Sequence, residues 1–267
     1  MKRLNSDNIT NIIVTGKSGA GKQPRIDVLL EEFNLEQLST GDIFRNYLSK
    51  FNEYGYEKDL DTFFDKENDN FISDEKIAEK IGTDEKDVIL GLKAKYFVNQ
   101  GLFVPDYITN ELFKSFFEKK NYKNQVLDGY PRTKNQSEFL LNLLKEKNSK
   151  IDFVVLVENS DEKIIKRTVK RRICPKCKKV YHLEFKPPKD GKYCKKCGTE
   201  IIQRSDDTEE KIRSRLNEFK EKTLPAIRYL EENDIPIAKV PGHLEVFTPE
   251  NVKKSVMKEV EKIIDKS

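Results

Sequence analysis

A glycine-rich segment near the N-terminus has the residue types and spacing that bind phosphate. Residues 16–22 read Gly-Lys-Ser-Gly-Ala-Gly-Lys, directly after a short apolar run and at the start of a predicted helix. Glycines let backbone N–H groups approach phosphate oxygens, the helix N-terminus adds positive potential, and Lys22 reaches the outer phosphates. Gln23 and Pro24 follow where a Ser or Thr hydroxyl is expected, so one phosphate donor is missing from this predicted loop.

The four cysteines form a second pattern with a specific chemistry. They are two C-x-x-C pairs separated by sixteen residues, Cys174 with Cys177 and Cys194 with Cys197. Two such pairs are a strong signal for tetrahedral zinc, and four thiolates leave no open position, so the predicted Zn²⁺ is structural and stabilises a small region with few apolar residues. The alternatives are disulfides or unbonded thiols, and His182 as a substitute ligand. We expect His182 to be an ordinary hydrogen-bonded histidine.

The elements that must position these residues follow an alternating pattern. Short β-branched runs predict strands at 11–15, 125–127, 151–157 and 236–240. Apolar residues at helical spacing predict helices at 22–33, 134–146, 161–172 and 251–264. A further helix is predicted to start at Asp207, with Glu210 completing its cap, and to kink at Pro225. Strands separated by helices indicate an α/β fold with a parallel sheet flanked by helices.

Composition narrows the class of protein. Of 267 residues 36% are charged, and the net charge of +4 is too small to imply nucleic-acid binding by itself. The longest apolar runs, such as 153–157, are far shorter than a membrane span, and the first ten residues are polar. Together with the paired cysteines, these features lead us to expect a soluble cytoplasmic protein that binds neither membrane nor nucleic acid.

Arginine is scarce and unevenly placed. The chain has 39 Lys and only 11 Arg. A guanidinium binds phosphate through two parallel hydrogen bonds, whereas lysine acts as a point charge, so clustered arginines favour phosphate sites over chance clustering. Eight arginines lie in or beside the candidate site segments: Arg45, Arg132, Arg167, Arg171, Arg172, Arg204, Arg213 and Arg215.

Three further segments, together with the phosphate loop, resemble those of the adenylate kinases, a family of nucleoside monophosphate kinases. Residues 38–45 (LSTGDIFR), 101–106 (GLFVPD) and 128–136 (DGYPRTKNQ) occur in the family's order. The resemblance runs from residue 11 to the C-terminus and is to the long form with a zinc-binding lid. It implies a P-loop NTPase-type core at 1–39, 120–170 and 208–267, a helical monophosphate-binding domain at 40–119, and a zinc-ribbon-like lid at 171–207.

The resemblance also implies roles for individual residues. For ATP binding these are Gly19, Ala20, Gly21, Lys22, Gln23, Arg167 and Arg171. For AMP binding they are Thr40, Arg45, Val104, Gly129, Arg132, Gln136, Arg204 and Arg215. The catalytic group is Lys22, Arg132, Arg167, Arg204 and Arg215. Asp128 and Asp42 are implied to hold Mg²⁺ through water.

Two pairs of residues carry further expectations. Arg167 and Arg171 are four apart on one predicted helix and are expected to share a face. Asp206 and Asp207 lie at the predicted lid hinge, where the resemblance implies that they pair with the arginines once the lid closes.

The implied reaction is MgATP + AMP ⇌ 2 ADP, catalysed by a monomer. Thr40 and the Thr133/Gln136 pair resemble adenylate kinase rather than uridylate or cytidylate kinase. Three alternatives remain. One is a catalytically weak nucleotide-binding sensor or scaffold, which Gln23-Pro24 and the acidic segment at about 51–88 favour. Another is a related kinase with a different acceptor, and the third is a zinc-ribbon protein that binds nucleic acid.

An acidic insertion from about 51 to 88 departs from the family's short linker. It holds 13 acidic and 5 basic residues, together with scattered aromatic residues and enough helical pattern to be ordered. Asp65, Glu67 and Asp69 are spaced somewhat as in a calcium loop, but Asn70 and Lys76 replace the glycine and final glutamate that such a loop needs. We therefore expect a solvated acidic face or a partner surface rather than a calcium site.

Overall fold

The computed structural model describes residues 9–53, 60–100, 104–177, 179–184, 186–203 and 207–264. Its strands are β1 Asn11–Thr15, β2 Glu36–Ser39, β3 Phe64–Asp65, β4 Asn70–Phe71, β5 Gln125–Asp128, β6 Phe153–Glu158, β7 Arg171–Ile173, β8 Val180–His182 and β9 Ile237–Pro241. Its α-helices are α1 Lys22–Phe33, α2 Thr40–Glu53, α3 Asp74–Ile81, α4 Lys86–Asn99, α5 Asp106–Glu118, α6 Lys134–Glu146, α7 Asp161–Val169, α8 Glu209–Glu218, α9 Leu224–Glu232 and α10 Pro249–Ile264.

Five parallel strands form the central sheet, in the order β2-β5-β1-β6-β9. All five residues of β1 are buried, as expected for a strand covered by helices on both faces. Side chains alternate between the faces: Ile12 and Val14 pack with α1 and α10, whereas Ile13 packs with α2, α4, α5 and α6. The predicted α/β fold with a parallel sheet is confirmed.

The order of the strands determines where a ligand can bind. From β1 the chain proceeds towards β2 on one side of the sheet and later towards β6 on the other. Ligands of such sheets bind at the carboxyl ends of the strands where the order reverses. Here that edge carries the loops after β1, β5 and β9, which include the phosphate loop.

The strand predicted at 151–157 begins two residues later, at Phe153. Asp152 is buried, and its Oδ2 accepts hydrogen bonds from the backbone N–H groups of Thr10, at 2.5 Å, and Asn11, at 3.1 Å. This side chain therefore ties the loop before β6 to the start of β1.

The helix predicted at 161–172 was wrong at its C-terminal end. The helix stops at Val169, and Arg171–Ile173 forms strand β7, antiparallel to Val180–His182. Ile173 also exchanges backbone hydrogen bonds with Ile202, at 2.8 and 2.9 Å. Because the partners of these pairings lie outside 161–172, the pairings override the local helical pattern. Arg171 is therefore not on the same helix as Arg167, and the expectation that they share a helix face was wrong.

The helix predicted to start at Asp207 is capped one residue later. Thr208 is the N-cap of α8 and its hydroxyl accepts the N–H of Lys211 at 3.4 Å, whereas Asp207 is fully buried and paired with arginine. The predicted irregularity near Pro225 is a π-helical turn, Phe219–Thr223, directly before α9. Pro225 lies in the first turn of α9, where its missing N–H is tolerated.

The insertion is ordered as its pattern predicted, apart from 54–59, which lie outside the described residues. It contains a 3₁₀ turn (Leu60–Phe63), the β3-β4 hairpin and α3. Phe63, Phe71 and Ile77 are buried in the same apolar core as α4 and α5. Phe63 and Phe71 therefore extend a core instead of forming an exposed surface. Across the described ranges, every helix is too short or too polar to span a bilayer.

Candidate functional site

The phosphate loop connects β1 to α1 and requires its glycines. Gly19 and Gly21 have φ angles of +83° and +105°, which other residues rarely adopt. A Cβ on Gly19 would lie 2.6 Å from Thr168 Oγ1, and one on Gly21 would lie 2.9 Å from the Gly242 carbonyl oxygen. The loop therefore packs directly against α7 and the loop after β9, and the first turn of α1 points towards the edge where a ligand would bind.

Several predicted site residues converge on Lys22. Its Nζ donates to the carbonyl oxygen of Gly16 at 3.1 Å. Burial lowers the pKa of Lys22; the nearby Asp128 carboxylate opposes this shift, and the guanidinium groups of Arg132, Arg171 and Arg215 add to it. A cluster of cations with one carboxylate at the end of β5 is suited to binding a polyanion.

Arginines reach this loop from two other elements. Arg167, on α7, donates from Nη2 to the carbonyl oxygen of Gly19. Arg215, on α8, donates from Nη1 to Ser18 Oγ at 3.1 Å. Both contacts place guanidinium groups beside the atoms that would surround a phosphate chain.

Asp207 orients two of the arginines. Its buried carboxylate accepts two hydrogen bonds from Arg171, from Nε at 2.8 Å and from Nη2 at 2.5 Å. Its Oδ1 also lies 3.7 Å from Arg215 Nη2. Asp207 therefore joins β7 to α8 and holds the two side chains near Lys22. The expected pairing of Asp207 with the arginines is present in this structure.

A second group of residues surrounds the loop after β5. Thr40 Oγ1 lies 3.3 Å from the carbonyl oxygen of Asp128 and 3.1 Å from that of Gly129. Arg132 donates from Nε to the Gly129 carbonyl oxygen at 2.9 Å, and its backbone N–H donates to Gln136 Oε1 at 2.8 Å. Four of the residues implied to bind AMP, Thr40, Gly129, Arg132 and Gln136, are therefore connected by hydrogen bonds.

The other predicted acceptor residues are less closely placed. Arg45 and Asp42 form an ion pair at 2.5 Å on the exposed start of α2. The carboxylate of Asp42, implied to hold Mg²⁺ through water, is therefore bound to Arg45 in this structure. Val104 packs partly buried against the core of α4 and α5. Arg204 and Asp206, and residues 101–103 of the second family segment, lie outside the described residues.

The four cysteines lie together at one end of the β7-β8 ribbon. Their Sγ atoms are all within 4.8 Å of one another, with Cys174–Cys197 at 3.4 Å and Cys177–Cys194 at 3.5 Å. A tetrahedral ion with Zn–S bonds of about 2.3 Å requires sulfur–sulfur distances of about 3.8 Å. The donor set and its spacing fit Zn²⁺. The Nδ1 of His182 accepts the N–H of Glu184 at 3.1 Å, as expected of a hydrogen-bonded histidine.

Hydrogen bonds to sulfur support this arrangement. The Tyr181 hydroxyl lies 3.2 Å from Cys194 Sγ, and the N–H of Lys196 donates to the same sulfur at 3.4 Å. Burial raises the pKa of the Cys194 thiol, but these hydrogen bonds outweigh it and lower the pKa to about 6. Cys194 therefore favours the thiolate form that a metal requires.

Sequence reasoning missed Arg25. This side chain is fully buried beside the phosphate loop, donating from Nη1 to the Gly21 carbonyl oxygen at 3.3 Å and from Nη2 to that of Pro241 at 2.7 Å. Burial, with the nearby Arg167, lowers its pKa to about 10. Its position in the first turns of the loop helix was a usable signal, because α1 buries that face.

Two polar side chains beside the site were also missed. Asp106 accepts hydrogen bonds from Thr133 and Gln136. Gln37 donates from Nε2 to Asp128 Oδ2 at 3.1 Å and pairs with the Gln23 amide at 3.0 and 3.3 Å. The unusual Gln23 is therefore linked through Gln37 to the carboxylate at the end of β5.

Comparisons with known proteins agree with this geometry. A family model described as "Adenylate kinase" matches residues 82–235. A curated adenylate kinase from Acholeplasma laidlawii is 35% identical over 242 residues, covering 90% of this chain and 94% of that protein. One from Archaeoglobus fulgidus is 34% identical over 257 residues, covering 96% and 98%, and one from Petrotoga mobilis is 36% identical over 223, covering 84% and 86%.

The three relatives match 84–96% of this chain, and the phosphate loop, the arginine cluster and the four cysteines lie within one α/β structure. The chain belongs to the adenylate kinase family.

Proposed function

We propose that this protein catalyses reversible transfer of the terminal phosphoryl group of MgATP to AMP, giving two ADP. The observation that carries this proposal is the convergence of Lys22, Arg132, Arg171 and Arg215 with Asp128 at the carboxyl edge of the sheet. Two polyanions repel each other, and a cluster of fixed cations between them lowers the cost of bringing them into line.

The donor and acceptor would bind on opposite sides of this cluster. The phosphate loop, Lys22, Arg167 and Arg171 would hold the ATP phosphates. The contiguous group of Thr40, Gly129, Arg132 and Gln136 would hold AMP. The proposed acceptor residues are completed by Arg45, Val104, Arg204 and Arg215. Lys22 and the arginines then stabilise the charge that develops on the transferred phosphoryl group.

Two metals belong to this proposal. Mg²⁺ bound with ATP would supply charge neutralisation, and Asp128 would accept hydrogen bonds from its water ligands. Zn²⁺ would be held by the four cysteine thiolates, where it has no open position and stabilises the region around β7 and β8. We assign that region to a lid, and residues 40–119 to the acceptor domain, which together would exclude water during transfer.

A product assay tests the reaction. ADP formation is measured by chromatography with MgATP plus AMP, MgATP alone, and MgATP plus GMP, CMP or UMP. We expect rapid ADP formation that requires AMP, with ATP hydrolysis slower by at least about 100-fold because the closed site excludes water. Faster transfer to another monophosphate would assign a different acceptor. Tight nucleotide binding without transfer would favour the sensor or scaffold and contradict the proposal.

A further inference from the structure

Asp106, the first residue of α5, holds two side chains from the region after β5. Its Oδ1 accepts a hydrogen bond from Gln136 Nε2 at 2.7 Å, and its Oδ2 accepts one from Thr133 Oγ1 at 2.6 Å. An ionised carboxylate has no hydrogen to offer, so both partners must donate. Having donated its only hydrogen, Thr133 Oγ1 accepts the Gln136 backbone N–H at 3.1 Å and caps α6.

A second contact fixes the other end of the Gln136 amide. Its Oε1 accepts the backbone N–H of Arg132 at 2.8 Å, and the residue is only 5% exposed. If the amide were flipped, its oxygen would face the Asp106 carboxylate and its NH₂ would face the Arg132 N–H. Both contacts would then be repulsive. The orientation is therefore set by one neighbour that only accepts and one that only donates.

The oriented amide still has one N–H donor and one acceptor lone pair. Adenine offers the complementary pair on either edge, because its 6-amino donor lies beside an acceptor nitrogen, N1 or N7. Hypoxanthine and guanine have an acceptor oxygen at position 6 and a donor N–H at position 1, which is the reverse order. A 6-oxopurine would therefore need the flipped amide that Asp106 and Arg132 disfavour.

We infer that Asp106 is a positioning residue that selects a 6-aminopurine acceptor by fixing the orientation of the Gln136 amide. The inference rests on the proposed function, in which Gln136 meets the base of the acceptor. Thr40, Gly129 and Arg132, the neighbours of Gln136 at this site, contact one another through the same loop. Asp106 acts through Gln136 and does not need to touch the nucleotide.

The substitution Asp106→Asn tests this role. An asparagine can donate as well as accept, so it accommodates both orientations of Gln136. The kcat/KM values for AMP and for IMP are measured with saturating MgATP. We expect the wild-type protein to prefer AMP by at least about 100-fold, since a mismatched polar base leaves buried groups unpaired. Asp106→Asn should lower that preference at least about tenfold. A preference within about twofold of the wild type would overturn the inference.

Two further variants separate orientation from stability. Asp87→Asn removes another carboxylate between helices of the same region, where Asp87 binds Lys50 and Lys119. It should lower the melting temperature and leave the AMP-to-IMP preference unchanged. Asp106→Glu keeps two oxygens that only accept, so the preference should stay within about threefold of the wild type even where both rates fall. If Asp106→Asn does not fold, Asp106→Glu carries the test, and a collapse of its preference overturns the inference.

Assays of the wild-type protein separate failure of the proposed function from failure of the inferred role of Asp106. No transfer to AMP would overturn the proposed function itself. Transfer to AMP and to IMP at comparable kcat/KM would leave the proposed reaction standing and overturn the role of Asp106.

Discussion

Two regions outside the central sheet are stabilised in different ways. The first, here called the zinc-site region, comprises the described residues of 171–203. Its apolar cluster consists of Cys174, Tyr181, Cys194 and Ile201, with Cys177 and Cys197 packed partly buried against them. The second, here called the aromatic region, comprises 60–99, and its buried side chains join a core that continues through α5 and α6. The zinc-site region has a small apolar cluster and is expected to need a metal ion. The aromatic region instead shares the apolar core of α5 and α6.

Aromatic packing is dense in the second region. The Phe64 ring stacks on Tyr96 with centroids 4.5 Å apart, and Phe71 meets Phe64 edge-on at 5.0 Å. Such pairs contribute about 0.5–1.5 kcal/mol each beyond the area that they bury. This region is therefore expected to hold its structure without any ligand.

The two regions also differ in net charge. Residues 171–203 carry a net charge of +7, and residues 60–99 carry −4. A basic region attracts polyanionic nucleotides but repels itself. Four thiolates around Zn²⁺ form a centre of net charge −2, so the predicted site supplies a small core, and its thiolates offset part of the positive charge. The comparison teaches that the metal is predicted in the region that has the smaller apolar cluster and the higher positive charge.

The largest effect should follow loss of the metal. Removing zinc with a chelator at neutral pH, or introducing Cys194→Ser, should raise hydrogen exchange throughout the zinc-site region and lower its melting temperature. Turnover should fall at least about 100-fold, because Arg171, proposed to hold the ATP phosphates, lies in this region. Elemental analysis should give one zinc per chain before treatment.

Two observations check the specificity of that result. Hydrogen exchange in the aromatic region should be unchanged, and AMP binding should survive better than turnover because Arg132 lies outside the zinc-site region. Tyr181→Phe, which removes only the hydroxyl that contacts Cys194, should retain zinc. A purified, reduced protein that contains no metal and melts identically with chelator would contradict the zinc assignment.

The second largest effect should follow Phe63→Ala. The Phe63 side chain is fully buried in the aromatic region, so its loss should cost about 3–5 kcal/mol in the free energy of unfolding. Zinc content should stay at one per chain. Phe247→Ala is a matched control, because Phe247 is 56% exposed and the same truncation should cost less than about 1 kcal/mol. Equal costs measured by denaturant titration would show that the aromatic region is not a packed core.

The sequence predicts the parts of this molecule that depend on local pattern. The phosphate loop follows from glycine spacing, and the metal site follows from two C-x-x-C pairs. β1 was predicted with correct ends because its five residues are all apolar or β-branched apart from Asn11. The family resemblance added the order of segments on which the acceptor-site prediction rests.

What the sequence left open depends on contacts between distant residues. The end of α7 is set by pairing with Val180–His182 and Ile202, which no local pattern in 161–172 encodes. Arg25 is bound to a carbonyl 216 positions away, and Asp106 to side chains 27 and 30 positions away. Polar groups of this kind are buried only because the tertiary fold supplies their partners.

Acid should destabilise the zinc-site region and the aromatic region at different pH values. Asp87 binds Lys50 at 2.6 Å and Lys119 at 3.1 Å. Burial raises the pKa of Asp87, but the hydrogen bonds from both lysines outweigh burial and lower the pKa to about 2. A folded pKa below the unfolded value of about 3.9 stabilises the protein above pH 4, and this contribution is lost as the pH falls from about 4 to 2.

The test compares the wild type with Asp87→Asn from pH 7 to pH 2. The variant should be less stable by about 1–2 kcal/mol at pH 7, with the difference vanishing near pH 2. Asp61→Asn is the control, since the Asp61–Lys66 pair is exposed and should contribute almost nothing. The zinc-site region should open at higher pH than this, because protonated thiols release the metal. If both regions unfold at the same pH, their stabilities are not independent and the prediction is wrong.

The smallest effect concerns the phosphate loop, which lies in neither region. Pro24→Thr restores one N–H and one hydroxyl near the phosphates while keeping the Gln23–Gln37 amide pair that leads to Asp128. One recovered hydrogen bond should tighten MgATP binding by about 1 kcal/mol, or roughly fivefold in Kd. The double variant Gln23→Gly with Pro24→Thr should gain less affinity for MgATP, because it loses the amide that supports Gln37.

Isothermal titration measures the affinity of both variants for MgATP, with zinc content and melting temperature expected to stay at wild-type values. If the double variant binds MgATP more tightly than Pro24→Thr alone, the amide pair does not support Asp128. If neither variant binds more tightly than the wild type, Pro24 does not deprive the loop of a phosphate donor and the prediction is wrong.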